Sequence, residues 1–582
     1  MTEIRKELVA TVRNKAYVLI DYNIQNTLDK RFEFAKKTIL TDKSLTKNEK
    51  SYAIKELNKD FDYYKLLFNE GTKRICENCH HECLATLFCE HCVQNYLKKN
   101  FSNWTSGNSD IDDLIQQCQL KILKVDKIVE WIPYNKFKNT NFLTKGGCSE
   151  IYTADWINGS YDEWDSKEKQ LKRFGDQVVV LKKLENVENA NRSWFEEGKS
   201  HLSISNKYAQ VVSCFGFTKN PSDGKYMLVM GHMDINLKDY IQQNHNKLTW
   251  KERIQIINDI TYILSRIHQE NIIHRDLHSG NILYNQFIQK FRISDFGFCG
   301  PADKPLNCIY GNLPYIAPEI ISGKETTFAS DIYSIGILMW EVSSGQPPFI
   351  KFENDYYLAM NIINGMRPKI VPGTPLEYKE LMEQCWDADP EKRPNIDTLH
   401  NKIGEMNRLN YQNELNKSIV KKSTEKIRLS KPKLNTISKI NEINNFEINN
   451  TSTSRLFTSN VYQFKNLPAE PKNATEEEQE AFHSKPYSYK IPDNIADFDN
   501  KNDDNTSKSS DKIKDDNKKL SEVFENMQIN SNNNIQNNYI KEIIQANKHN
   551  IDNYIDDENG IYNNPNFHSE EQDEFEIPDD GF

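Results

Sequence analysis

The sequence lacks any uninterrupted apolar run near the ~20 residues that a helix needs to cross a bilayer. Its first residues, MTEIRKELVATVRNK, carry charges where a secretory signal has an apolar core. No basic stripe stands out, and the net charge of −10 argues against nucleic acid as the main partner. We therefore expect a soluble cytoplasmic protein without a membrane span, with a nuclear location left open.

Cysteine is unevenly distributed: five of the eleven fall within residues 76–92, CENCHHECLATLFCEHC. Such a cluster in an intracellular chain favours a metal site over a disulfide framework. Two C-x-x-C pairs can give four thiolates to a structural Zn²⁺, and these are Cys76, Cys79, Cys89 and Cys92. Other donors leave the ligand set open, namely Cys83, His80, His81 and His91. A reduced cluster without metal is the alternative.

The composition changes several times along the chain. Lys-, Glu- and Leu-rich stretches with helical spacing come first, and strand-like runs such as QVVVLKKL precede long helical runs such as KERIQIINDITYILSRIH. We predict an α+β fold with these parts: an N-terminal helical region (1–70), a Cys-rich zinc-ribbon-like module (71–100), linker helices (101–134), a two-lobed domain (135–405), and a largely disordered Asn-, Asp- and Ser-rich tail (406–582) with a short motif at 466–487.

Three motifs follow one another in the two-lobed part. IHRDLHSGNIL occupies 273–283, Asp-Phe-Gly occupies 295–297, and Ala-Pro-Glu occupies 317–319. Each triplet alone is a weak signal, but the ordered set resembles a protein kinase. The resemblance implies a β-rich N-terminal lobe, a helical C-terminal lobe, and transfer of the γ-phosphate of ATP to a protein hydroxyl.

Phosphoryl transfer depends mainly on positioning and charge neutralisation. By the resemblance, Asp276 would orient the substrate hydroxyl, and Asn281 and Asp295 would give oxygen ligands to Mg²⁺. Lys182, in VVLK, would pair with the phosphates and would itself be fixed by a glutamate. We predict Glu197 as that partner, with Glu196 as the alternative.

Glycine is scarce where the phosphate-cradling loop is expected. In TKGGCSE the three loop positions hold Thr144, Gly146 and Ser149, so only the middle glycine is kept. Leu143 and Ile151 flank this loop. A lost glycine costs ~1 kcal/mol only where a positive φ is required, so we expect a working loop and an ATP affinity lower by about tenfold.

The adenine site is expected at MLVMGHM, residues 227–233. Met230 would close the back of the pocket, and backbone groups of Gly231 and Met233 would bond the adenine edge. Val180 and Leu283 would cover the ring from the two lobes. Gly231 stands where kinases often have Glu, which need not harm a backbone contact.

The acceptor is less well specified by the sequence. Serine/threonine kinases usually have Lys at the position of His278, which could meet the γ-phosphate only as a titrating cation, and usually have Thr at the position of Asn312. No Ser or Thr lies between Asp295 and Glu319, so serine or threonine phosphorylation of that segment is excluded. Tyr310 and Tyr315 are the remaining candidates there, and we expect Tyr315 to be a packed structural residue.

The wider sequence is similar to the tyrosine-kinase-like group as expanded in mycorrhizal fungi. The matching stretches include NWTSGNSDIDDLIQ (103–116), IYGNLPYIAPE (309–319) and NLPAEPKNATEEEQEAFHSKPY (466–487). That resemblance implies serine/threonine specificity, with tyrosine or dual specificity open. It also implies structural roles for Asp331 and for an Arg393–Glu319 ion pair. The alternative is a pseudokinase scaffold that binds partners through its helical lobe, zinc module and tail.

Overall fold

The computed structural model describes residues 4–145, 149–184, 194–208, 210–296, 300–301, 309–350, 352–426, 459–464 and 466–484. Gly146 and Gly297, both part of the predicted motifs, lie outside these ranges. Within the described part of the chain, no helix is long and apolar enough to cross a membrane.

Three helices form an N-terminal bundle: α1 (Lys6–Val18), α2 (Leu28–Thr41) and α3 (Lys47–Phe68). Their apolar faces meet in a small core around Val9, Ile39 and Leu57. Helix α3 begins with a capping box, in which Thr46 and Glu49 each accept a hydrogen bond from the other's backbone N–H. The bundle contacts both lobes, since Tyr63 donates to the Lys207 carbonyl and Asn14 to the Ile288 carbonyl.

The Cys-rich module follows, with two short paired strands and one helix: β1 (Arg74–Ile75), β2 (Glu82–Cys83) and α4 (Glu90–Asn100). Asp62 of α3 accepts hydrogen bonds from the backbone N–H groups of Thr86 and Leu87. Phe88 and Val93 share an apolar core with Leu171 of the N-terminal lobe. The module is therefore packed between the bundle and that lobe.

The N-terminal lobe contains these elements: α5 (Ser109–Leu120), β3 (Glu130–Trp131), β4 (Phe137–Lys145), β5 (Glu150–Trp156), β6 (Tyr161–Asp165), β7 (Gln170–Arg173), β8 (Gln177–Lys183), α6 (Trp194–Lys207), β9 (Cys214–Lys219) and β10 (Tyr226–Gly231). Six of the strands form one sheet in the order β3-β9-β10-β8-β5-β4. Strands β6 and β7 form a separate hairpin.

Residues 101–134, predicted as linker helices, contribute to this lobe. Helix α5 buries Ile111 and Ile115 in the core that also holds Phe217 of the sheet. Strand β3 joins the sheet edge parallel to β9. The approach is close, because a Cβ at Gly216 (φ +135°) would lie 1.8 Å from the Glu130 carbonyl oxygen. Only glycine fits there.

The C-terminal lobe is mainly helical and contains these elements: β11 (Ile235–Asn236), α7 (Leu237–Asn244), α8 (Trp250–Gln269), β12 (Ile272–Ile273), β13 (Ile282–Asn285), β14 (Lys290–Ile293), β15 (Gly300–Pro301), β16 (Ile309–Gly311), α9 (Pro318–Ile321), α10 (Phe328–Ser344), α11 (Tyr356–Ile363), α12 (Leu376–Cys385) and α13 (Ile396–Lys426). Helix α10 is buried on every face from Ser330 to Ser344, as expected of a helix with apolar residues all round its middle turns. It forms the centre of the largest core.

Part of the predicted tail is folded onto this lobe. We call residues 459–464 and 466–484 the docked tail; it contains β17 (Asn460–Tyr462) and α14 (Glu476–His483). Strand β17 pairs antiparallel with β16. The Phe482 ring stacks on Phe352, with centroids 5.5 Å apart. The described part of the motif predicted at 466–487 therefore contacts its own chain.

Candidate active site

Lys182 lies at the centre of the cleft between the lobes. Its Nζ is 2.8 Å from Oε1 of Glu197 on α6 and 2.7 Å from Oδ1 of Asp295. Glu197 is buried, whereas Glu196 is exposed to solvent. The choice between the two glutamates that the sequence left open is decided by helix α6, which turns only Glu197 toward the sheet.

Asp276 and Asn281 meet on the C-terminal side of the same cleft. Asn281 Nδ2 donates to the Asp276 carbonyl at 2.9 Å and to Asp276 Oδ2 at 3.3 Å. Because the amide nitrogen is engaged in this way, the Asn281 oxygen is the atom suited to a cation. Burial, followed by the nearby charge of Asp295, raises the pKa of the Asp276 carboxyl to about 6.

The loop that carries Asp276 is held from below by Asp331, as the resemblance implies. Asp331 accepts hydrogen bonds from the backbone N–H of His274 at 2.8 Å and of Arg275 at 3.0 Å. Arg275 and Asp295 have φ values of +68° and +58°, a left-handed conformation that is costly for such residues. Strain of this kind persists only where surrounding contacts fix the backbone.

The ion pair implied for Arg393 and Glu319 is present and bidentate. Both N···O distances are 2.7 Å, and the two side chains are 0% and 3% exposed. Arg393 also donates to the Asp387 and Ala329 carbonyls. This pair joins the Ala-Pro-Glu motif at 317–319 to the chain just before helix α13.

Phe296, which follows Asp295, is fully buried. Its ring lies 5.1 Å from that of His201 on α6 and 5.5 Å from that of His274. This packing joins helix α6, with its Glu197, to the loop that carries Asp276. It thereby keeps Asp295 turned toward Lys182.

The predicted adenine-contacting side chains lie together. Val180, Met230, Met233 and Leu283 all belong to or pack against one apolar cluster of the N-terminal lobe. The pairing of β8 with β10 sets Val180 opposite Met230. The Gly231 N–H donates to the Ser213 carbonyl at 2.9 Å, so a contact from Gly231 to a ligand would have to use its carbonyl.

The predicted phosphate loop is described only in part. Thr144 pairs with Ile151 across the β4–β5 hairpin, and Ile151 is opposite Lys182 in the next strand pair. Leu143 is 55% exposed, and Ser149 is buried. The two strands of the hairpin, on either side of residues 146–148, therefore lie close to the strand that carries Lys182. Gly146 itself lies outside the described residues.

Burial changes the roles available to His278 and Tyr310, and Tyr315 is a packed residue, as expected. Burial lowers the pKa of His278 to about 4, so at neutral pH this residue is not the cation that the sequence suggested. Tyr310 is 7% exposed and its strand is covered by β17. Tyr315 is buried, and its hydroxyl donates to Glu341 Oε2 at 2.7 Å. Neither tyrosine is open to modification in this arrangement.

Residues 137–403 match the family described as "Protein tyrosine and serine/threonine kinase". Residues 137–403 therefore form a protein kinase domain. The predicted bilobal fold and the enzyme class of this domain are confirmed. The match also explains why the described residues of these motifs meet in one cleft.

Relatives of the kinase domain point to the same class. The chain is 28% identical to "Serine/threonine-protein kinase STY17" of Arabidopsis thaliana, over 44% of this chain and 47% of that protein. It is 34% identical to the human "Dual serine/threonine and tyrosine protein kinase", over 35% of this chain and 22% of that protein. It is 30% identical to "Probable serine/threonine-protein kinase roco8" of Dictyostelium discoideum, over 37% of this chain and 12% of that protein. The chain thus spans less than half the length of each.

The four paired cysteines form a separate site outside the kinase domain. The Sγ atoms of Cys76, Cys79, Cys89 and Cys92 all lie within 4.8 Å of one another. The Cys76–Cys92 and Cys79–Cys89 Sγ distances are 3.7 and 3.5 Å. These are too long for a disulfide, but a zinc tetrathiolate has S···S edges of about 3.8 Å, given Zn–S bonds of about 2.3 Å. The donor set therefore fits Zn²⁺.

The spare donors do not join this group of four. His80, His81 and His91 are exposed, and none belongs to a set of converging ligands among the described residues. Cys83 lies near Cys89 and Glu90 instead. Asn78 Nδ2 donates a hydrogen bond to Cys92 Sγ at 3.2 Å. Hydrogen bonds of this kind orient metal ligands.

One residue at the candidate active site carries no signal in the sequence. Ser459 of the docked tail is 8% exposed, and its Oγ donates to Asp276 Oδ1 at 2.7 Å. Its immediate sequence, TSNVYQF, carries no motif that marks it as an active-site segment. Its position depends on a strand pairing between residues about 150 positions apart in the sequence.

Proposed function

We propose that this chain is an ATP-dependent protein kinase that transfers the γ-phosphate of ATP to serine or threonine in intracellular signalling. The observation that carries the proposal is the double contact of Lys182 with Glu197 and Asp295. These contacts hold the lysine, the predicted Mg²⁺ ligand Asp295 and helix α6 of the N-terminal lobe in one arrangement. A pseudokinase more often lacks one of these groups.

The residues divide the work of transfer between them. Lys182, fixed by Glu197, would hold the α- and β-phosphates of the substrate nucleotide. The oxygens of Asn281 and Asp295 would hold Mg²⁺, which supplies charge neutralisation when bound. Asp276 would orient the acceptor hydroxyl and take its proton. Val180 and Leu283 would enclose the adenine, and Met230 and Met233 would border it.

A serine or threonine acceptor is supported by the contact that Asp276 already makes. The hydroxyl that reaches its carboxylate is that of a serine, Ser459, so an aliphatic side chain of this length fits the site. The names of the relatives include serine/threonine kinases and one dual-specificity kinase. Phosphoamino-acid analysis of the product distinguishes these possibilities.

We further infer that the domain belongs to the tyrosine-kinase-like group in the form expanded in mycorrhizal fungi, on the stretches at 103–116, 309–319 and 466–487. We also infer that the Cys-rich module binds one structural Zn²⁺ through Cys76, Cys79, Cys89 and Cys92. Four thiolates close the coordination shell, so no zinc catalysis is proposed.

The decisive experiment is a transfer assay with the purified full chain, radiolabelled ATP, Mg²⁺ and a peptide library with Ser, Thr or Tyr acceptors. The wild-type chain should label Ser or Thr peptides. Asp276→Asn should lose this activity, because the hydroxyl is no longer oriented and its proton has no acceptor. Asp113→Asn, at an exposed position of α5, is the matched control. Labelling that persists in Asp276→Asn would refute the proposal.

A further inference from the structure

The docked tail enters the active site in the manner of a peptide substrate. Strand β17 extends the kinase domain by antiparallel pairing with β16, with Asn460 opposite Gly311, Val461 opposite Tyr310 and Tyr462 opposite Ile309. Addition of an extended peptide to an open strand edge is a common mode of peptide recognition. The residue that precedes the paired strand is Ser459.

The edge strand β16 lies close to the proposed catalytic carboxylate. Gly311 has a φ of +136°, and a Cβ there would lie 3.5 Å from Asp276 Oδ1 and 3.2 Å from Ile316. Glycine therefore lets the strand pass directly beside Asp276. A chain that pairs with this strand therefore brings the residue just before its paired stretch to the Asp276 carboxylate.

The hydroxyl of Ser459 is oriented by two partners. His278 Nδ1 accepts the Gly280 N–H at 3.1 Å, so in a neutral ring the proton is on Nε2. His278 Nε2 lies 3.1 Å from Ser459 Oγ and donates to it. The hydroxyl proton of Ser459 is then directed to Asp276 Oδ1, 2.7 Å away. This is the geometry that an acceptor hydroxyl needs before transfer.

Contacts that follow Ser459 along the chain hold the segment in place. Tyr462 is buried in the core of the C-terminal lobe, and Phe464 packs against that core. Further along, Gln479 Nε2 donates to the Gly365 carbonyl at 2.6 Å. Asn473 Oδ1 accepts the Ala388 N–H at 2.9 Å. The tail is thus anchored at several points of the C-terminal lobe, which keeps Ser459 at a high local concentration.

We propose that Ser459 is a phosphorylation site that the kinase domain modifies within the same molecule, with the docked tail as its built-in substrate. This proposal rests on the proposed function. Ser459 Oγ forms a bond to the γ-phosphorus of ATP, and the bond from that phosphorus to the β,γ-bridging oxygen breaks. ADP leaves, and the hydroxyl proton passes to Asp276.

The modification also regulates the site. Before transfer, β17 occupies the strand edge that an external protein substrate would use. After transfer, a phosphate dianion would stand beside the Asp276 carboxylate, and like charges at this distance repel each other. The tail then leaves β16, and the edge becomes free for other substrates. The segment between Asp295 and Glu319 has no Ser or Thr of its own. Ser459 of the docked tail supplies the aliphatic hydroxyl that this segment lacks.

The test begins with full-length chain that has been treated with phosphatase and then given Mg²⁺ and ATP. Mass spectrometry of tryptic peptides should find Ser459 as the first modified residue. The initial rate per molecule should stay constant over a roughly 100-fold range of protein concentration, as expected for an intramolecular reaction. Ser459→Ala should abolish this modification. Ser484→Ala, an exposed serine of the same tail, should leave it unchanged.

A second measurement follows an added serine peptide. Wild-type chain should show a lag that pre-incubation with ATP removes, through a lower KM at unchanged kcat. Ser459→Ala should phosphorylate the peptide at a KM that ATP pre-incubation does not lower, because its tail stays docked. Tyr462→Ala should weaken docking, so the KM for the peptide falls and modification of Ser459 slows.

The outcomes separate the two proposals. If the added peptide is labelled while Ser459 stays unmodified, the kinase function stands and Ser459 is refuted as the acceptor. A rate per molecule that rises in proportion to protein concentration would show modification between molecules and would refute the intramolecular route. If neither the peptide nor Ser459 is labelled in any variant, both proposals fail.

Discussion

Lys182 of strand β8 and Glu197 of helix α6 form a buried ion pair with an N–O distance of 2.8 Å, and both side chains are at most 5% exposed. The pair joins the sheet of the N-terminal lobe to its helix. Its burial means that neither charge can be left alone without a large cost. The arrangement of the proposed nucleotide site therefore depends on this contact.

Glu197→Gln should lower kcat/KM for peptide phosphorylation by roughly 100-fold, the cost of misplacing a reacting group by about 1 Å. The amide cannot hold the ammonium of Lys182 against the pull of Asp295. Glu196→Gln, the exposed neighbour, is the matched control and should change little. Steady-state kinetics of the three chains give the comparison, and equal losses in both variants would contradict the assignment.

Removal of metal should unfold the Cys-rich module and also lower the stability of the kinase domain. The module shares a core with Leu171, and Trp164 packs on its cysteines, so the two parts are not independent. Cys79→Ser should lose zinc, whereas Cys83→Ser, a spare donor outside the tetrathiolate, should keep it. Elemental analysis and thermal unfolding check this. One zinc per chain in Cys79→Ser would exclude the proposed ligand set.

Arg393→Ala should reduce the free energy of unfolding by about 3–5 kcal/mol, because Glu319 would be left buried without its partner. Arg408→Ala removes an arginine that is 26% exposed and pairs with Glu405. That control should cost about 1 kcal/mol or less. Urea unfolding of the full chain measures both. Similar losses in the two variants would mean that the buried Arg393–Glu319 pair contributes no more to the free energy of unfolding than an exposed pair does.

The network around Glu341 should make stability depend on pH. Burial raises the pKa of Glu341 from its ordinary 4.5 to about 7, against the lowering effect of hydrogen bonds from Tyr315 and Ser279 and of the charge of Lys238. Between these two pH values the folded chain keeps a proton that the unfolded chain has lost. Glu341 therefore stabilises the fold fully below about pH 4.5, and this is lost as pH rises through about 7.

Urea unfolding of wild type and Glu341→Gln across this window provides the measurement. The stability of wild type relative to the variant should fall by on the order of 3 kcal/mol from the acid to the neutral side, since one pKa unit corresponds to about 1.4 kcal/mol. The exposed Glu380→Gln should show no such trend. Parallel pH profiles for wild type and Glu341→Gln would contradict the prediction.

The proposed catalytic residues stand out in the sequence because phosphoryl transfer restricts the residue types and their spacing. Asp276, Asn281 and Asp295 stand in motifs whose order along the chain is itself a signal. The two C-x-x-C pairs, Cys76 with Cys79 and Cys89 with Cys92, were visible because their spacing is also a signal. The charge state of His278 was not, because it depends on burial, and burial depends on which segments cover the residue.

The sequence by itself determined the kinase domain, its proposed chemical groups and the candidate metal ligands, because each of these is encoded within a few neighbouring residues. Only the tertiary structure decided that residues 101–134 join the N-terminal lobe and that Ser459 reaches Asp276. Both depend on strand edges and apolar surfaces formed by distant parts of the chain. Such edges exist only after the lobes have folded, so no local pattern around residue 459 could indicate what it contacts.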